Sequence, residues 1–232
     1  MAMRILLVNP NSTASMTAKA GAAARRVARP DTEIIPATAA RNPPSIQGFY
    51  DVAVSLPGLL GEIEERQPEV DAVVIACFDD TGLDAARAAV DVPVIGIGEA
   101  AFHAASFLCC RFSVVTTLGR SVPGIEANLQ RYGLALRCAR VRASEVPVLD
   151  LERGDPAVVE RVADQIASAM LDDGAEAIVL GCAGMTELTA YLAKRFGIPV
   201  IDGVASAVTF AEALVAAGYK TSKIGGYARP IR

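Results

Sequence analysis

Eight short apolar runs alternate along this chain with longer stretches of helical periodicity, and that alternation leaves few folds open. The runs cover residues 4–8, 32–36, 72–76, 92–97, 112–116, 136–141, 175–180 and 198–201, and several are unbroken Val, Ile and Leu. A strand that is apolar at every position has to be covered on both faces, which is the condition of a parallel strand with helices above and below. The intervening stretches, such as 155–172, carry apolar residues at helical spacing with charge on the opposite side. Strand and helix in alternation predict an α/β fold built on mostly parallel sheet flanked by helices.

The order of these pieces is written twice. Arg4-Ile-Leu-Leu-Val-Asn-Pro10 in the first half matches Arg111-Phe-Ser-Val-Val-Thr-Thr117 in the second. Cys77 lies 73 residues after Arg4, and Cys182 lies 71 after Arg111. A Pro-Val-Ile strand follows 16 residues after the first cysteine and 17 after the second. The echo predicts two similarly built lobes with a cysteine at the same point in each. Ligands of open α/β sheets bind beyond the carboxyl ends of strands, near helix N-termini. Each cysteine closes an apolar strand and precedes an expected helix, at 83–90 and from Met185 onward, whose N–H groups would lower a nearby thiol's pKa. If the lobes face each other, two tunable thiols line one cleft.

Composition narrows the class further. A chain of 232 residues, 52% apolar, has material for one large core or two of about a hundred residues each. No run reaches the length of a membrane span, and Met3-Arg4 leads straight into a strand rather than a signal peptide, so the expectation is a cytoplasmic protein. A formal charge of −4 without a basic cluster argues against nucleic acid. Five cysteines fit neither a disulfide framework nor a zinc site. Cys109, Cys110 and Cys138 read as ordinary buried thiols. With His103 the sole histidine, a Cys-His protease or a His-ligated metal centre is disfavoured, and its apolar helical setting makes it a packed residue. Gly96-Ile-Gly98 lacks the third glycine of a dinucleotide fingerprint and reads as turn chemistry.

Inverting a carbon centre by proton removal needs a base on one face and an acid on the other. Running the reaction both ways exchanges the roles, so two groups of one type suit a racemase, one as thiolate and one as thiol. Paired strand-end cysteines with packing roles are the plainer alternative, and their matched positions count against it. A two-lobed, non-catalytic small-molecule sensor is a further alternative.

The segments Val8-Asn-Pro-Asn-Ser-Thr13, Ser45-Ile-Gln-Gly-Phe-Tyr-Asp51, Ala76-Cys-Phe-Asp-Asp-Thr-Gly-Leu83, Leu180-Gly-Cys-Ala-Gly-Met185, Ile201-Asp-Gly203 and Thr221-Ser-Lys223 resemble the aspartate/glutamate racemase superfamily, specifically its hydantoin and allantoin racemase branch. The resemblance covers nearly the whole chain. It implies racemisation at C5 of a hydantoin ring without metal or pyridoxal phosphate, a small-molecule substrate as partner, a homo-oligomer, and Cys77 and Cys182 as the catalytic pair. It also implies that the C-terminal segment returns to the first lobe, placing the lobes at 1–97 plus 205–232 and at 98–204. Relatives resembling maleate isomerase or arylmalonate decarboxylase keep the fold with a different cysteine complement.

Local chemistry bears on the branch. Glutamate racemases follow their cysteines with Asn-Thr and Thr-His, whereas here Phe78-Asp79-Asp80 and Ala183-Gly184 follow. Asp80 would repel a substrate carboxylate yet accept hydrogen bonds from ring N–H groups, and Asp79 on the same short loop would matter less if it points to solvent. The N–H groups of Ala183 and Gly184 would hold a ring carbonyl as it gains enolate character, and the resemblance adds Thr81 and Met185 to the contacts. Asn11, at the first strand end, is expected at the ligand, while Ser12 and Thr13 suit helix capping equally well. Thr116 and Thr117, at the matching strand end, are read as ring hydrogen-bonding groups. Ser45, Ile46 and Phe49, after Pro43-Pro44, are candidates for a flap over the site, with a plain surface loop as the alternative.

Overall fold

The computed structural model describes residues 2–153 and 155–231. Strands β1 (Met3–Asn9), β2 (Thr32–Thr38), β3 (Ala72–Ile75) and β4 (Val94–Gly96) form one sheet, and β5 (Phe112–Thr116), β6 (Cys138–Ala143), β7 (Ala177–Gly181) and β8 (Val200–Ile201) form another. Strand order is β2-β1-β3-β4 in the first and β6-β5-β7-β8 in the second, all neighbours parallel. Every apolar run is a strand, and the second half repeats the topology of the first strand for strand. The run at 136–141 starts late because Ala135–Arg137 winds into a 3₁₀ turn.

The helices in chain order are α1 (Ala14–Val27), α2 (Phe49–Arg66), α3 (Leu83–Ala89), α4 (Ile97–Leu108), α5 (Val122–Arg131), α6 (Val148–Glu152), α7 (Pro156–Asp172), α8 (Thr189–Phe196) and α9 (Gly203–Ala216). Helix α7 starts as its sequence predicts: the Asp155 side chain accepts the Ala157 N–H at 2.9 Å, and Pro156 occupies the first turn. Three apolar clusters hold the chain together. One fills the far face of the first sheet with Leu6, Leu59, Ile63 and Leu83. Another does the same for the second sheet with Val115, Val162, Ile166 and Leu192. The largest lies between the sheets and joins Ile5, Leu7 and Val74 to Val114, Val179 and Ile201 through Phe102 of α4 and Val204 and Val208 of α9. The lobes thus share a central core, and α9 packs beside α1 and α4 and against β3 and β4 of the first sheet. Among the described residues no helix is long and apolar enough to cross a membrane.

Candidate active site

Cys77 lies two residues beyond the end of β3, and Cys182 directly follows β7. Each is at the carboxyl end of the third strand of its half, and the sheets point these ends at each other. Both thiols line a tight cavity of about 40 Å³ with Asn11, Met16, Ile46, Asp79, Thr116, Thr117, Ser121, Ile125, Val148 and Ala183.

The two cysteine loops are held differently. After Cys77 the chain does not enter a helix until Leu83, so the helix that follows in sequence does not begin at this sulfur. Instead the Cys77 Sγ–H donates to Asp79 Oδ1 at 2.9 Å, and the Thr81 hydroxyl donates to the same oxygen at 2.8 Å. The Asp79 carbonyl in turn accepts from Asn128 Nδ2 at 2.8 Å, tying the loop to α5 across the cleft. Burial, then the Asp79 charge, push the Cys77 thiol well above the ordinary thiol range, and the charge of Cys182 adds to the effect. This corrects the expectation of a helix-lowered thiol. Asp79 is itself raised from the usual carboxyl range by burial, against the opposing donors Cys77 and Thr81.

Asp80 has a different task from the one its sequence position suggests. It adopts a left-handed backbone, φ 53°, which turns its side chain away from the thiols. Its carboxylate accepts the N–H groups of Gly98 and Glu99 at 2.9 and 2.8 Å and the Tyr132 hydroxyl at 2.8 Å. Helix α4 has glycine at its own N-cap, with no side chain to offer, and Asp80 supplies the missing acceptor from another loop. The approach is close: a Cβ at Gly96 would stand 2.0 Å from Asp80 Oδ1, and one at Gly98 would stand 2.2 Å from the Phe78 carbonyl oxygen. The two glycines are therefore seats for the Cys77 loop, rather than turn residues. Phe78 completes the anchor, packing edge-on against Phe102 with ring centroids 5.3 Å apart. Asp80, expected as a ring contact, has both its oxygens committed to α4 and Tyr132, and it is Asp79 that faces the cavity.

Burial raises Asp80 to about 7, its three donors opposing the rise. A carboxyl raised in the folded state binds its proton more tightly there than in the unfolded chain, so its contribution to stability is full below about 4 and is lost as pH rises towards 7. Urea unfolding of the native chain at pH 5 and pH 8 should show this decline, and Asp80→Asn should flatten it. An Asn variant with an unchanged pH slope would show that Asp80 does not titrate in this window.

The second loop mirrors the first with the roles redistributed. Cys182 is the N-cap of a 3₁₀ turn, Ala183–Leu188, and its Sγ accepts the Gly184 N–H at 3.4 Å. The Met185 N–H returns to the Cys182 carbonyl at 3.0 Å. The N–H of Gly184 is therefore directed at the sulfur and not at a ring carbonyl, and the Met185 side chain is fully buried in the second-lobe core. Asp202 caps α9 through the N–H groups of Val204 and Ala205 and also accepts the Thr186 hydroxyl at 3.0 Å. In each half one aspartate joins the cysteine loop to the helix that follows the fourth strand.

The other expected contacts divide. Asn11, Thr116, Thr117, Ala183 and Ile46 line the cavity. Asn11 Oδ1 accepts from Asn9 Nδ2 and from the Thr13 N–H, both at 2.9 Å, while its Nδ2 meets the Met16 thioether at 3.7 Å. The Thr116 hydroxyl donates to the Gly181 carbonyl at 2.9 Å and so ties β5 to β7. Thr81 acts through Asp79. Ser45 is buried, its hydroxyl accepting from Gln47 Nε2 at 2.8 Å. Phe49 is exposed and borders a separate groove with Arg120 and Gly124. Met16, Ser121, Ile125 and Val148 belong to the cavity without having been singled out in sequence, because each comes from a helix or turn whose facing direction only tertiary packing decides. Of the other cysteines, Cys109 and Cys138 are half-buried and Cys110 is exposed, which corrects its reading as a buried thiol. His103 is half-buried, its Nδ1 beside the Glu99 carbonyl at 2.8 Å. Among the described residues no group of three or more His, Cys, Asp or Glu side chains is placed to hold a metal ion.

Two parallel sheets of identical strand order, with matched strand-end thiols at one cavity between them, are the architecture of a two-lobed α/β racemase. Residues 5–211 match the family model described as Asp/Glu/Hydantoin racemase. A hydantoin racemase of Rhizobium meliloti is 52% identical over 98% of this chain and 95% of its own length. An allantoin racemase structure from Klebsiella pneumoniae superposes with a TM-score of 0.96 at 44% identity, covering 99% of this chain and 94% of that one. One from Pseudomonas fluorescens gives 0.96 at 43%, covering 99% and 98%. The chain belongs to the Asp/Glu/hydantoin racemase family and is an isomerase of the racemase type.

Proposed function

We propose that this enzyme inverts C5 of a hydantoin-type cyclic ureide, a 5-substituted hydantoin or allantoin, using Cys77 and Cys182 as acid and base on opposite faces of the ring. The observation that carries the proposal is the pairing of the two thiols at equivalent strand ends around one cavity. The names of the relatives at 43–52% identity support the ureide.

One thiolate removes the C5 proton, the electron pair moves into the neighbouring C4 carbonyl as an enolate, and the other thiol returns a proton from the opposite face. The C5 proton thus ends on the first sulfur, and the new C5–H comes from the second. The cavity walls contribute little charge beyond Asp79, which suits a neutral ring, and Asn11 Nδ2 is a donor available to a ring carbonyl. At about 40 Å³ the cavity is far below the several hundred Å³ of ordinary ligand sites, so substrate entry requires the walls to part. Residues 45–48 can serve as the flap, with Ile46 as its cavity-facing side chain and Gln47 Oε1 accepting the Val148 N–H at 3.4 Å.

The test is polarimetry of enantiopure allantoin and an enantiopure 5-alkyl hydantoin with the enzyme, beside proton NMR of C5–H in deuterium oxide. Loss of rotation with one deuterium incorporated at C5 is expected for at least one substrate. Loss of rotation without deuterium, or no change with either, would overturn the proposal.

A further inference from the structure

The two thiols sit in unequal surroundings, and the inequality has a direction. Cys77 Sγ–H points at a buried carboxylate oxygen 2.9 Å away, while Cys182 Sγ accepts a backbone N–H. A carboxylate that accepts a hydrogen bond favours the thiol, whereas an N–H directed at sulfur favours the thiolate. Ordinary thiols and carboxyls differ by about four to five units in acidity, so the proton between Cys77 and Asp79 belongs to the sulfur. Resting on the two-thiol reading above, we infer that Asp79 is a positioning residue that keeps Cys77 as the protonated acid of the free enzyme and leaves Cys182 as its resting base.

The geometry makes Asp79 well suited to this. Its Oδ1 is fixed by Thr81, its carbonyl by Asn128, and the residue sits between Cys77 and Asp80, whose carboxylate anchors the loop to α4. The ionisable groups facing the Cys77 sulfur are Asp79 on its own loop and Cys182 across the cavity, and the remaining wall is neutral. Asp80, next in sequence, is turned away onto Gly98, Glu99 and Tyr132. Burial and the Asp79 charge act in the same direction on Cys77. In the turnover that starts from this resting form, the C5 proton goes to Cys182 and the Cys77 proton goes to C5. The enzyme then holds a Cys182 thiol and a Cys77 thiolate beside Asp79. Repulsion in that pair drives the return of a proton to Cys77, with Cys182 giving one up to solvent, before the same turnover can repeat.

The experiment measures iodoacetamide alkylation at each cysteine separately, by peptide mass spectrometry, across pH 5 to 11. In the native enzyme the pH midpoint of Cys77 should lie above that of Cys182. Asp79→Asn and Asp79→Ser should each lower the Cys77 midpoint by about a unit, raising its alkylation rate at neutral pH roughly tenfold. The Cys182 midpoint should not rise. Cys138, half-buried and pushed up to about 12 chiefly by burial, reports folding, because it stays slow in any variant that keeps its core. A native Cys77 midpoint at or below that of Cys182 would overturn the inference without recourse to any variant. A Cys77 midpoint unmoved in a folded Asp79→Asn protein would do the same. These readings concern thiol ionisation and need no turnover, so they stand apart from a failure of the two-thiol reading, which would show as inversion surviving the loss of either cysteine.

Discussion

Cys77→Ser and Cys182→Ser should each lower racemisation by about three decades or more while leaving the fold intact. A serine hydroxyl fills nearly the same space but is a far weaker acid than a thiol, so it supplies neither a base at neutral pH nor a ready proton for the enolate. The partial reactions carry more information than the loss itself. With Cys182 replaced, the remaining thiol can still reach C5–H from its own face, and exchange with deuterium is expected for one enantiomer only. With Cys77 replaced, exchange is expected for the other enantiomer. The measurement is C5 proton loss by NMR for each pure enantiomer with each variant. Exchange of both enantiomers by a single-cysteine variant, or inversion near the native rate, would mean that one thiol serves both faces, and the two-base arrangement would be wrong.

Gly98→Ala should be the most damaging substitution outside the cavity. Its Cβ would stand 2.2 Å from the Phe78 carbonyl oxygen and 2.8 Å from Asp80 Oδ2. The first of these is backbone and cannot swing aside. Relief requires the 77–80 loop to lift from α4, which breaks the Asp80 bonds to the Gly98 and Glu99 N–H groups. The cost should be about 3 kcal/mol or more. Because Cys77 rides on the displaced loop, kcat/KM should fall by about two decades in whatever folded protein remains. Urea unfolding and racemisation rate, read beside Gly61→Ala in the open middle of α2, where an added Cβ meets nothing within 4 Å, separate this clash from a general effect of alanine. A Gly98→Ala enzyme with native stability and rate would mean that the loop seat is looser than described.

Much of this architecture was legible in sequence for a physical reason. Strands covered on both faces have little freedom in composition, so runs such as Ile5-Leu-Leu-Val8 and Ile178-Val-Leu180 announce themselves. The duplicated spacing then placed Cys77 and Cys182 at matching strand ends without knowledge of any contact. The Asp79-Asp80 pair shows where such reading stops. Two identical residues in succession differ only in where the backbone aims them, and that depends on the left-handed turn at Asp80 and on Gly98 and Tyr132, which lie 18 and 52 residues away. The Gly184 N–H is a similar case. Sequence shows that a glycine leaves its backbone open, whereas only the folded 3₁₀ turn shows that the Cys182 sulfur already receives it.

The unequal neighbours of the two thiols meet a constraint that no protein can alter. Mirror-image substrates have the same free energy in water, so their equilibrium constant is one, and kcat/KM must be identical for the two directions at any pH. A carboxylate beside one sulfur and a peptide N–H beside the other therefore cannot make this enzyme enrich either hand. The asymmetry can surface only as compensating differences: the direction with the larger kcat must have a KM larger by the same factor. Progress curves started from the two enantiomers would then differ in shape at saturating substrate and become superimposable when dilute.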